Sequence, residues 1–532
     1  MLILPGLAGQ VWWVWDLLGA MEPIIGGAVV PGFLNHRAIG DTLVVDQQET
    51  VLSRAPGDES ARVVTPNRWT WERALPWVMA VVFAALYATI SVARFQRFET
   101  RSFDLGIFEQ AIRHYANLQA PIVDLEGAGH NFLGDHWNPA IAVFAPFYRL
   151  FPSPVTLLVG QAVVIAFAIV PLTRAGMRHV GRWSGIAIGL AFGISYGVQA
   201  AVDFDFHEVS LAVPLLALAL EAFLAGRWVR VVGWAAPLVL VKEDLGLTVT
   251  ALGLVLVLVG VRRLGLGLAA FGVVSFALTM TVLIPHFNAT GAPPWARLGA
   301  TPATGAPLQR IVDLAGGIVS FGPRGSTVLL LLVVTAFISL RSPLMILVLP
   351  TLAWRLVSTN QNFWAQSFHY DLVLMPIVFA ALVDGVVRAR RGRWPVLRWY
   401  ARAAPALVLL VGVFLCTGWA PMERVALKDL VKPATYQPNA RAEAADQILS
   451  KIPDGASVET DLGLLTQLTS RAQVFWVGSA APVVPQFVLI DDAAGWNPPH
   501  PDPVRFAESL HPGTTYELAQ ARDGYWLMRR VP

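Results

Sequence analysis

Long apolar runs separated by short polar connectors occupy most of the chain between residues 75 and 420. The first run is 75–95. Further runs lie at 154–173, 184–201, 208–225, 231–241, 245–261, 264–285, 326–340, 343–358, 371–388 and 403–420. A helix perpendicular to a bilayer needs about 20 apolar residues to cross it, so the boundaries of the shorter runs are loose. The pattern predicts an α-helical polytopic membrane protein with about 11 transmembrane helices over residues 71–420.

The two ends of the chain differ from this middle part. Residues 11–34 are apolar but contain two acidic residues, and 35–70 are polar and rich in turn formers. We interpret 1–70 as a largely disordered cytoplasmic extension and leave open a further span within it. Residues 421–532 contain a helical pattern, short strand-like runs and a closing hairpin near the C-terminus. They predict a small C-terminal α/β domain.

Composition supports the membrane assignment. The chain is 55% hydrophobic and only 14% charged, whereas soluble proteins carry about 25% charged residues. The single cysteine, Cys416, lies in an apolar run, so no intrachain disulfide is possible. The net charge is only +3, and we expect no nucleic-acid partner; the expected surroundings are a lipid bilayer.

Arginine clusters in the connectors predict the orientation. They lie at Arg174/Arg178/Arg182, Arg227/Arg230, Arg262/Arg263, Arg341 and 388–402. Cytoplasmic loops are enriched in Lys and Arg, and every cluster is cytoplasmic if the N-terminus is cytoplasmic and the 231–261 stretch is broken at Lys242. This arrangement predicts a multi-pass protein of the inner or plasma membrane with an extracytoplasmic C-terminal domain. Segments 96–153, 202–207 and 286–325 are then also outside.

Two polar clusters lie in the first of these outer segments. Asp104 and Glu109 occur in FDLGIFEQ, and Asp135-His136 occurs in GDHWN. Asp104 could cap a helix that begins at Leu105, or act as a general base or as an anchor for a sugar hydroxyl or a metal ion. Asp135 and His136 could bind a metal ion or relay protons, or make an ordinary loop contact.

A third cluster is DFDFHE at 203–208. Asp203 and Asp205 form an Asp-x-Asp pair, which in soluble glycosyltransferases often marks a metal–diphosphate site. Simple solvation in a short connector is the alternative. His207 and Glu208 adjoin the next apolar run, which favours an inward-facing role.

The fourth cluster, Lys242-Glu243-Asp244, interrupts an apolar stretch. Each of these charges would cost roughly 2.5–3.5 kcal/mol at the centre of a bilayer. They must therefore pair, reach the interface or face a wet cavity. A lysine–acid pair is one interpretation, and binding of an anionic lipid phosphate by Lys242 is the other.

The fifth cluster includes His369 and Tyr370 in QSFHYD, with Arg355 at the end of the preceding run. His369 and Tyr370 could donate hydrogen bonds to a sugar or phosphate. Arg355 could hold a phosphate by its charge, or extend to lipid headgroups.

Several of these stretches together resemble a bacterial family of predicted membrane proteins that is catalogued as a domain of unknown function. They are FDLGIFEQAI, GDHWNP, FHEVSLAVPLLALAL, VKEDLGLTV and SFHYDLVLMP, and the resemblance covers roughly residues 75–530. That family is similar in architecture to the C-type (GT-C) glycosyltransferases. The resemblance implies a polytopic enzyme that uses a polyprenyl-phosphate-linked sugar and an essential acidic residue in the first external loop.

Carried over to this sequence, the resemblance implies that Asp104 is catalytic, with Glu109 and Asp135 as alternatives. The predicted substrate-binding residues are His136, Asp205, His207, Glu208, Lys242, Glu243, Asp244, Arg355, His369 and Tyr370. The predicted function is transfer of a sugar to an extracytoplasmic glycan, lipid or protein of the cell envelope. Use of a divalent metal ion as cofactor stays open, because GT-C enzymes differ in it.

A membrane transporter or a lipid-linked sugar flippase is the alternative function. Broken helices with charged residues inside the membrane are also typical of transporters. The absence of an evident inverted repeat and the concentration of polar clusters on one predicted side favour the enzyme.

Overall fold

A computed structural model describes residues 71–100, 103–289, 316–317, 322–417, 425–492 and 500–532. The predicted extension at 1–70 and most of the predicted outer segment at 286–325 lie outside the described residues. Helices make up most of 71–417, and a five-stranded sheet lies in the C-terminal part. The predicted helical polytopic architecture with a small C-terminal sheet is thereby confirmed in its coarse form.

The helices up to residue 415 are α1 (Trp71–Gln96), α2 (Asp104–Ala116), α3 (Ala145–Leu150), α4 (Pro154–Phe167), α5 (Ile169–His179), α6 (Arg182–Gly193), α7 (Tyr196–Asp203), α8 (Ala212–Leu224), α9 (Trp228–Ala235), α10 (Leu245–Leu258), α11 (Arg262–Leu278), α12 (Ile284–Phe287), α13 (Pro323–Val333), α14 (Leu349–Val357), α15 (Leu374–Arg391) and α16 (Pro395–Leu415). Short 3₁₀ turns lie at Asp124–Glu126, Phe132–Gly134, Pro139–Phe144, Glu208–Leu211, Ala236–Leu240, Ile338–Arg341, Pro343–Val348, Gln361–Trp364 and His369–Asp371, and a π turn lies at Thr279–Leu283.

Six helical stretches in the described residues are long and apolar enough to cross a membrane. They are Trp71–Gln96, Pro154–His179, Arg182–Asp203, Arg262–Phe287, His369–Arg391 and Pro395–Leu415. The other predicted spans correspond to shorter helices, so the count of eleven stays a prediction. The predicted break at Lys242 is observed, because the helical turn at Ala236–Leu240 ends before it and α10 begins only at Leu245.

Helix α15 is the centre of the helical part. Its residues 374–383 are all buried, and they are apolar all round the helix. By contrast, α1 buries one face through Met79, Phe83 and Tyr87 and exposes Val78 and Val81 on another. A surface of exposed valines on an apolar helix is suited to contact with lipid.

Arginines of two of the clusters named above, 174–182 and 388–402, meet at one end of the helices. Arg182 pairs with Glu72 at the start of α1 over 2.9 Å, and Arg174 pairs with Glu221 near the end of α8 over 2.7 Å. Arg390 of α15 donates to the carbonyl of Val180 at 2.7 Å. We call this region the arginine-rich end.

The opposite end of α1 carries a different network. The buried guanidinium of Arg94 binds the carboxylate of Asp203 at the end of α7, and its Nη2 lies 2.9 Å from Asp429 Oδ2. Arg94 lies 22 residues after Glu72, which corresponds to about 33 Å along a helix. This distance matches the hydrocarbon thickness of a bilayer, about 30 Å.

The C-terminal part contains α17 (Ala426–Asp429), α18 (Ala442–Leu449), α19 (Leu465–Leu468) and α20 (Pro503–Leu510), a 3₁₀ turn at Pro433–Tyr436, and strands β1 (Ser457–Thr460), β2 (Gln473–Trp476), β3 (Phe487–Asp491), β4 (Tyr516–Arg522) and β5 (Tyr525–Arg530). The strand order is β2-β1-β3-β5-β4. The first three strands are parallel, and β5 is antiparallel to β3 and β4. The predicted closing hairpin turns at Asp523-Gly524, both of which have positive φ.

Helix α2 packs against this sheet rather than standing apart from it. Leu105 and Ile112 share a hydrophobic core with Leu465 and Val474. Gln110 Nε2 donates to the carbonyl of Val474 at 2.8 Å. The first polar segment after α1 and the C-terminal sheet therefore form one packed unit, although more than 300 residues separate them in sequence.

Helices α10 and α11 are packed through glycines. A Cβ atom at Gly272 would lie 2.4 Å from the carbonyl oxygen of Gly246, and one at Gly253 would lie 2.4 Å from the amide nitrogen of Ala269. Such distances are shorter than any Cβ contact allows, so the backbones touch only because these residues are glycine.

We expect Gly272→Ala to lower the thermal unfolding temperature of the purified chain, because the new methyl group must push α10 and α11 apart. Overpacking of this kind costs about 1–3 kcal/mol. Gly267→Ala in the same helix is the matched control, since its Cβ would meet nothing within 4 Å. The control should keep or slightly raise the unfolding temperature, because alanine favours helix over glycine. Equal effects of the two substitutions would contradict the close packing.

Candidate functional site

A cavity of about 300 Å³ lies where α2, the 203–208 connector, the break before α10 and the segment between α14 and α15 converge. Ten predicted site residues line it: Asp104, Asp135, His136, His207, Glu208, Lys242, Glu243, Asp244, His369 and Tyr370. Glu109, Asp205 and Arg355 lie outside it. The structure thus brings together residues from all five predicted polar clusters, which span more than 260 positions of the sequence.

Asp104 and His207 form a close pair at the cavity wall. His207 Nε2 lies 2.9 Å from Asp104 Oδ2. The side chain of His207 is only 3% exposed, whereas that of Asp104 is 39% exposed. Helix α2 begins at Asp104 and has Phe103 at its N-cap position, so Asp104 belongs to the first turn and is not the cap of a helix starting at Leu105.

The backbone of the 203–208 connector holds His207 in place. Gln161 of α4 donates to the carbonyl of Asp205 at 2.6 Å and accepts from the amide of His207 at 2.8 Å. Asp205 has a φ of 62°, a left-handed conformation that aspartate tolerates better than most residues. The part of Asp205 in this network is therefore its backbone. The carboxylate of Asp203 binds Arg94, so these two aspartates are not arranged as an open pair facing the cavity.

Lys242 and Glu243 connect the break before α10 to two other segments. Lys242 Nζ lies 2.6 Å from Glu208 Oε1. Glu243 accepts from the backbone amide of Trp137 at 3.2 Å, and its Oε1 lies 3.0 Å from His136 Nδ1. Burial lowers the pKa of His136, but the neighbouring Glu243 outweighs this effect, and the net result is a raised pKa. Two of the three charged residues that interrupt the apolar stretch, Lys242 and Glu243, are therefore paired with charged or titratable side chains of other segments.

Glu109 lies in the interface between α2 and the C-terminal part, away from the cavity. Tyr148 donates its hydroxyl to Glu109 Oε1 at 2.8 Å, and Thr469 donates to the other carboxylate oxygen. Burial raises the pKa of Glu109 to about 7. Its contacts indicate a structural role rather than the predicted catalytic one.

Arg355 is completely buried and does not line the cavity. Its Nη1 lies 2.5 Å from Asp371 Oδ1, and its Nε donates to the carbonyl of Phe363 at 2.8 Å. Sequence reasoning assigned this arginine to a lipid phosphate because its pairing partner, 16 residues away, could not be inferred from spacing.

Trp354 and Phe363 also line the cavity and were missed by the sequence analysis. Aromatic residues of the apolar runs are typical of interfacial belts, and nothing in their spacing distinguishes these two. An apolar wall formed by Leu247, Phe276, Met280 and Ile284 was missed for the same reason. Within the described ranges, no three His, Cys, Asp or Glu side chains are grouped to hold a metal ion.

Residues 94–527 of the chain match the family described as "Predicted membrane protein (DUF2079)". The chain belongs to the DUF2079 family. The predicted membership in a family of membrane proteins of unknown function is confirmed. No curated protein matches this DUF2079 sequence.

Two solved structures are similar to this DUF2079 chain. Both are of ArnT from Cupriavidus metallidurans, one bound to undecaprenyl phosphate and one in the apo state. The first has a TM-score of 0.48 and 15% sequence identity, and the second has 0.46 and 13%. Each comparison covers 86% of this chain and 98% of the other.

The pH dependence of stability tests the role of Glu109. Because its pKa is raised in the folded state, the stabilisation from this group is complete below the ordinary value of 4.5 and is lost as the pH rises through about 7. The shift corresponds to roughly 3 kcal/mol at most. We expect Glu109→Gln, which is neutral at every pH, to flatten the fall in unfolding temperature between pH 4.5 and about pH 7.

The control for this experiment is Glu443→Gln, because the Glu443 side chain is 75% exposed. It should keep the pH profile of the natural chain. If the unfolding temperature of Glu109→Gln changed with pH in the same way as that of the natural chain, Glu109 would be ionised in the folded state.

Arg355→Met should strongly destabilise the chain, because it leaves Asp371 charged and unpaired in the interior. Removing one partner of a buried pair costs about 3–5 kcal/mol, whereas replacing both with apolar residues is often neutral. We therefore expect the double variant Arg355→Met/Asp371→Leu to recover much of the lost unfolding temperature. An unchanged unfolding temperature in Arg355→Met, together with weaker binding of a lipid phosphate, would favour the phosphate-holding role instead.

Proposed function

We propose that this protein is a membrane glycosyltransferase that moves a sugar from a polyprenyl-phosphate donor to an acceptor outside the cytoplasm. One observation carries the proposal: a single cavity combines a reachable carboxylate paired with histidine, a lysine, and an apolar wall from membrane helices. Each of these three features matches one part of the reaction.

Asp104 is suited to be the general base. Its carboxylate is partly exposed, so an acceptor hydroxyl can approach it, and His207 holds one of its oxygens. A carboxylate at hydrogen-bond distance from a hydroxyl accelerates its attack by accepting the proton. The neighbouring C-terminal sheet, which shares a core with α2, would guide the acceptor.

Lys242 is suited to hold the donor phosphate. An ammonium group has three hydrogen-bond donors, and Glu208 takes up one of them at 2.6 Å. A phosphate oxygen could accept from another without displacing Glu208. The positive charge would then stabilise the phosphate as it leaves.

The apolar wall supports a lipid donor. Leu247 lies on α10, Phe276 lies on α11, and Met280 and Ile284 follow in the same helical stretch, which is long enough to cross a membrane. Prenyl units are hydrocarbon, so burying them against this wall is favourable at about 25 cal/mol per Å². A cavity for a free sugar phosphate would need no such wall.

In the proposed reaction, the acceptor oxygen attacks the anomeric carbon while its proton passes to Asp104. The bond between that carbon and the phosphate oxygen breaks, and the electron pair stays on the phosphate, which Lys242 stabilises. The products are a glycosylated acceptor and the polyprenyl phosphate. A single displacement inverts the anomeric configuration.

The same proposal includes an orientation. The arginine-rich end would face the cytoplasm with the N-terminus, in keeping with the enrichment of basic residues in cytoplasmic loops. The cavity and the C-terminal α/β part would lie outside, where cell-envelope glycans, lipids and proteins are available as acceptors. The length of about 33 Å between Glu72 and Arg94 along α1 supports the placement of these two ends on opposite sides.

Asp104→Asn tests the proposed base. In a deletion strain we expect a polyprenyl-phosphate sugar to accumulate beside a truncated glycan, and mass spectrometry of lipid extracts measures both. Complementation with the natural chain should clear the lipid, whereas Asp104→Asn should slow its consumption by about 10²–10⁴-fold. Asp454→Asn is the matched control, because this carboxylate is 83% exposed.

Protein levels in the membranes must be equal for this comparison. Normal sugar transfer by Asp104→Asn would rule out its role as the base. Accumulation of a substrate across the membrane that depends on an ion gradient would favour a transporter.

A further inference from the structure

Three aromatic side chains form a corner in the cavity wall. The ring centroids of Phe363 lie 5.2 Å from those of both Trp354 and Tyr370, and the Trp354 and Tyr370 centroids are 6.1 Å apart. The three interplanar angles are 80°, 86° and 87°, so each ring is nearly perpendicular to the other two. All three side chains are half-buried and line the cavity. We call them the aromatic corner.

Arg355 holds the aromatic corner together. It follows Trp354 directly in α14, it donates to the backbone carbonyl of Phe363, and it pairs with Asp371, the residue after Tyr370. The chain that carries each of the three rings is thus tied into the same buried network at the ring-bearing residue or directly beside it. Rings held in this way present a preformed surface to a ligand, which lowers the entropy lost on binding.

Asp244 adds a hydrogen-bond acceptor to the aromatic corner. Its Oδ2 accepts from Trp354 Nε1 at 2.9 Å, which fixes the indole. Its Oδ1 is buried and accepts no hydrogen bond from any residue that the structure describes. Buried carboxylate oxygens almost always have a donor, so this oxygen calls for a donor from a ligand.

The aromatic corner together with the carboxylate of Asp244 indicates which part of the proposed substrate binds here: the phosphate, the prenyl chain or the sugar. A phosphate would be repelled by the carboxylate of Asp244, and a prenyl chain has no donor for its Oδ1. A sugar ring offers both an apolar C–H face and hydroxyl donors. A pocket of aromatic residues with a few well-placed polar groups is typical of sites for such a ligand.

We propose that Trp354, Phe363, Tyr370 and Asp244 form the subsite for the sugar ring, with a sugar hydroxyl donating to Asp244 Oδ1. This inference rests on the proposed function, because the sugar is the group transferred. It identifies the ligand of the subsite as a neutral, hydroxyl-bearing monosaccharide unit.

Saturation-transfer NMR on the full chain in lipid nanodiscs tests the subsite. The probes are methyl glycosides of common hexoses and pentoses at millimolar concentration, with their monodeoxy analogues and with glucosamine as an ammonium-bearing sugar. We expect at least one glycoside to bind, and Trp354→Leu and Tyr370→Leu to weaken it at least 10-fold. Trp399→Leu is the matched control, because Trp399 is 68% exposed on α16. It should leave binding unchanged.

The deoxy analogues test Asp244 separately. A site built to bind a hydroxyl discriminates strongly against the analogue that lacks it, because its own polar group is then left unpaired. The natural chain should prefer the parent glycoside over one deoxy analogue by at least 10-fold, and Asp244→Ala should abolish that preference. A variant that only disturbed the fold would weaken both ligands equally. Unfolding temperatures identify variants that fail to fold, and Tyr370→Leu then replaces Trp354→Leu.

Three results would overturn the inference: no binding of any glycoside to the natural chain, equal binding to the aromatic variants, or binding of only an ammonium-bearing sugar such as glucosamine. Failure of this inference is distinguishable from failure of the proposed function. Glycoside binding that depends on Trp354 while Asp104→Asn supports normal transfer would sustain the subsite and overturn the base. Sugar transfer that depends on Asp104, without binding of any glycoside, would sustain the role of the base and overturn the subsite.

Discussion

The pairing of buried charges organises this molecule. An ionised side chain in an apolar interior costs several kcal/mol unless an opposite charge lies beside it. The buried Arg94 and Arg355 and the half-buried Lys242 each have an acidic partner, which lies 109, 16 and 34 residues away in the sequence, respectively, on another helix or connector. These pairs fix where the helices end relative to one another. The cavity lies among them, so its shape is a result of the same constraint.

Much of the fold follows from the sequence. Apolar runs predict the helices because both burial and membrane contact require apolar side chains. The charged break before α10 can be predicted because a continuous helix would place three charged side chains in the lipid. The predicted order and direction of the apolar runs also place all five polar clusters on the same side of the helices. What does not follow is which charges pair. Arg355 looks like a phosphate ligand until Asp371 is found against it, and Asp205 acts through a backbone conformation that residue type does not reveal.

The packing of α2 against the C-terminal sheet could not be predicted from the sequence either. The hydrophobic residues of FDLGIFEQ fit a helix that buries one face, but they do not identify the surface that covers it. That surface is formed more than 300 residues later. Because Asp104 is the first residue of this helix, the position of the candidate base depends on the C-terminal part. Loss of the C-terminal part would therefore displace Asp104 as well as remove any acceptor site on that part.

The glycine contacts between α10 and α11 have a consequence for the lipid donor proposed above. Both helices contribute to the apolar wall of the cavity, and their backbones already touch. Side chains can change rotamer to admit a larger ligand, but two backbones in contact cannot move closer or exchange partners without cost. The backbone of this wall therefore keeps a fixed shape. In the proposed function, a different hydrocarbon chain would be accommodated by movement of the other side chains that line the cavity, among them those of the aromatic corner.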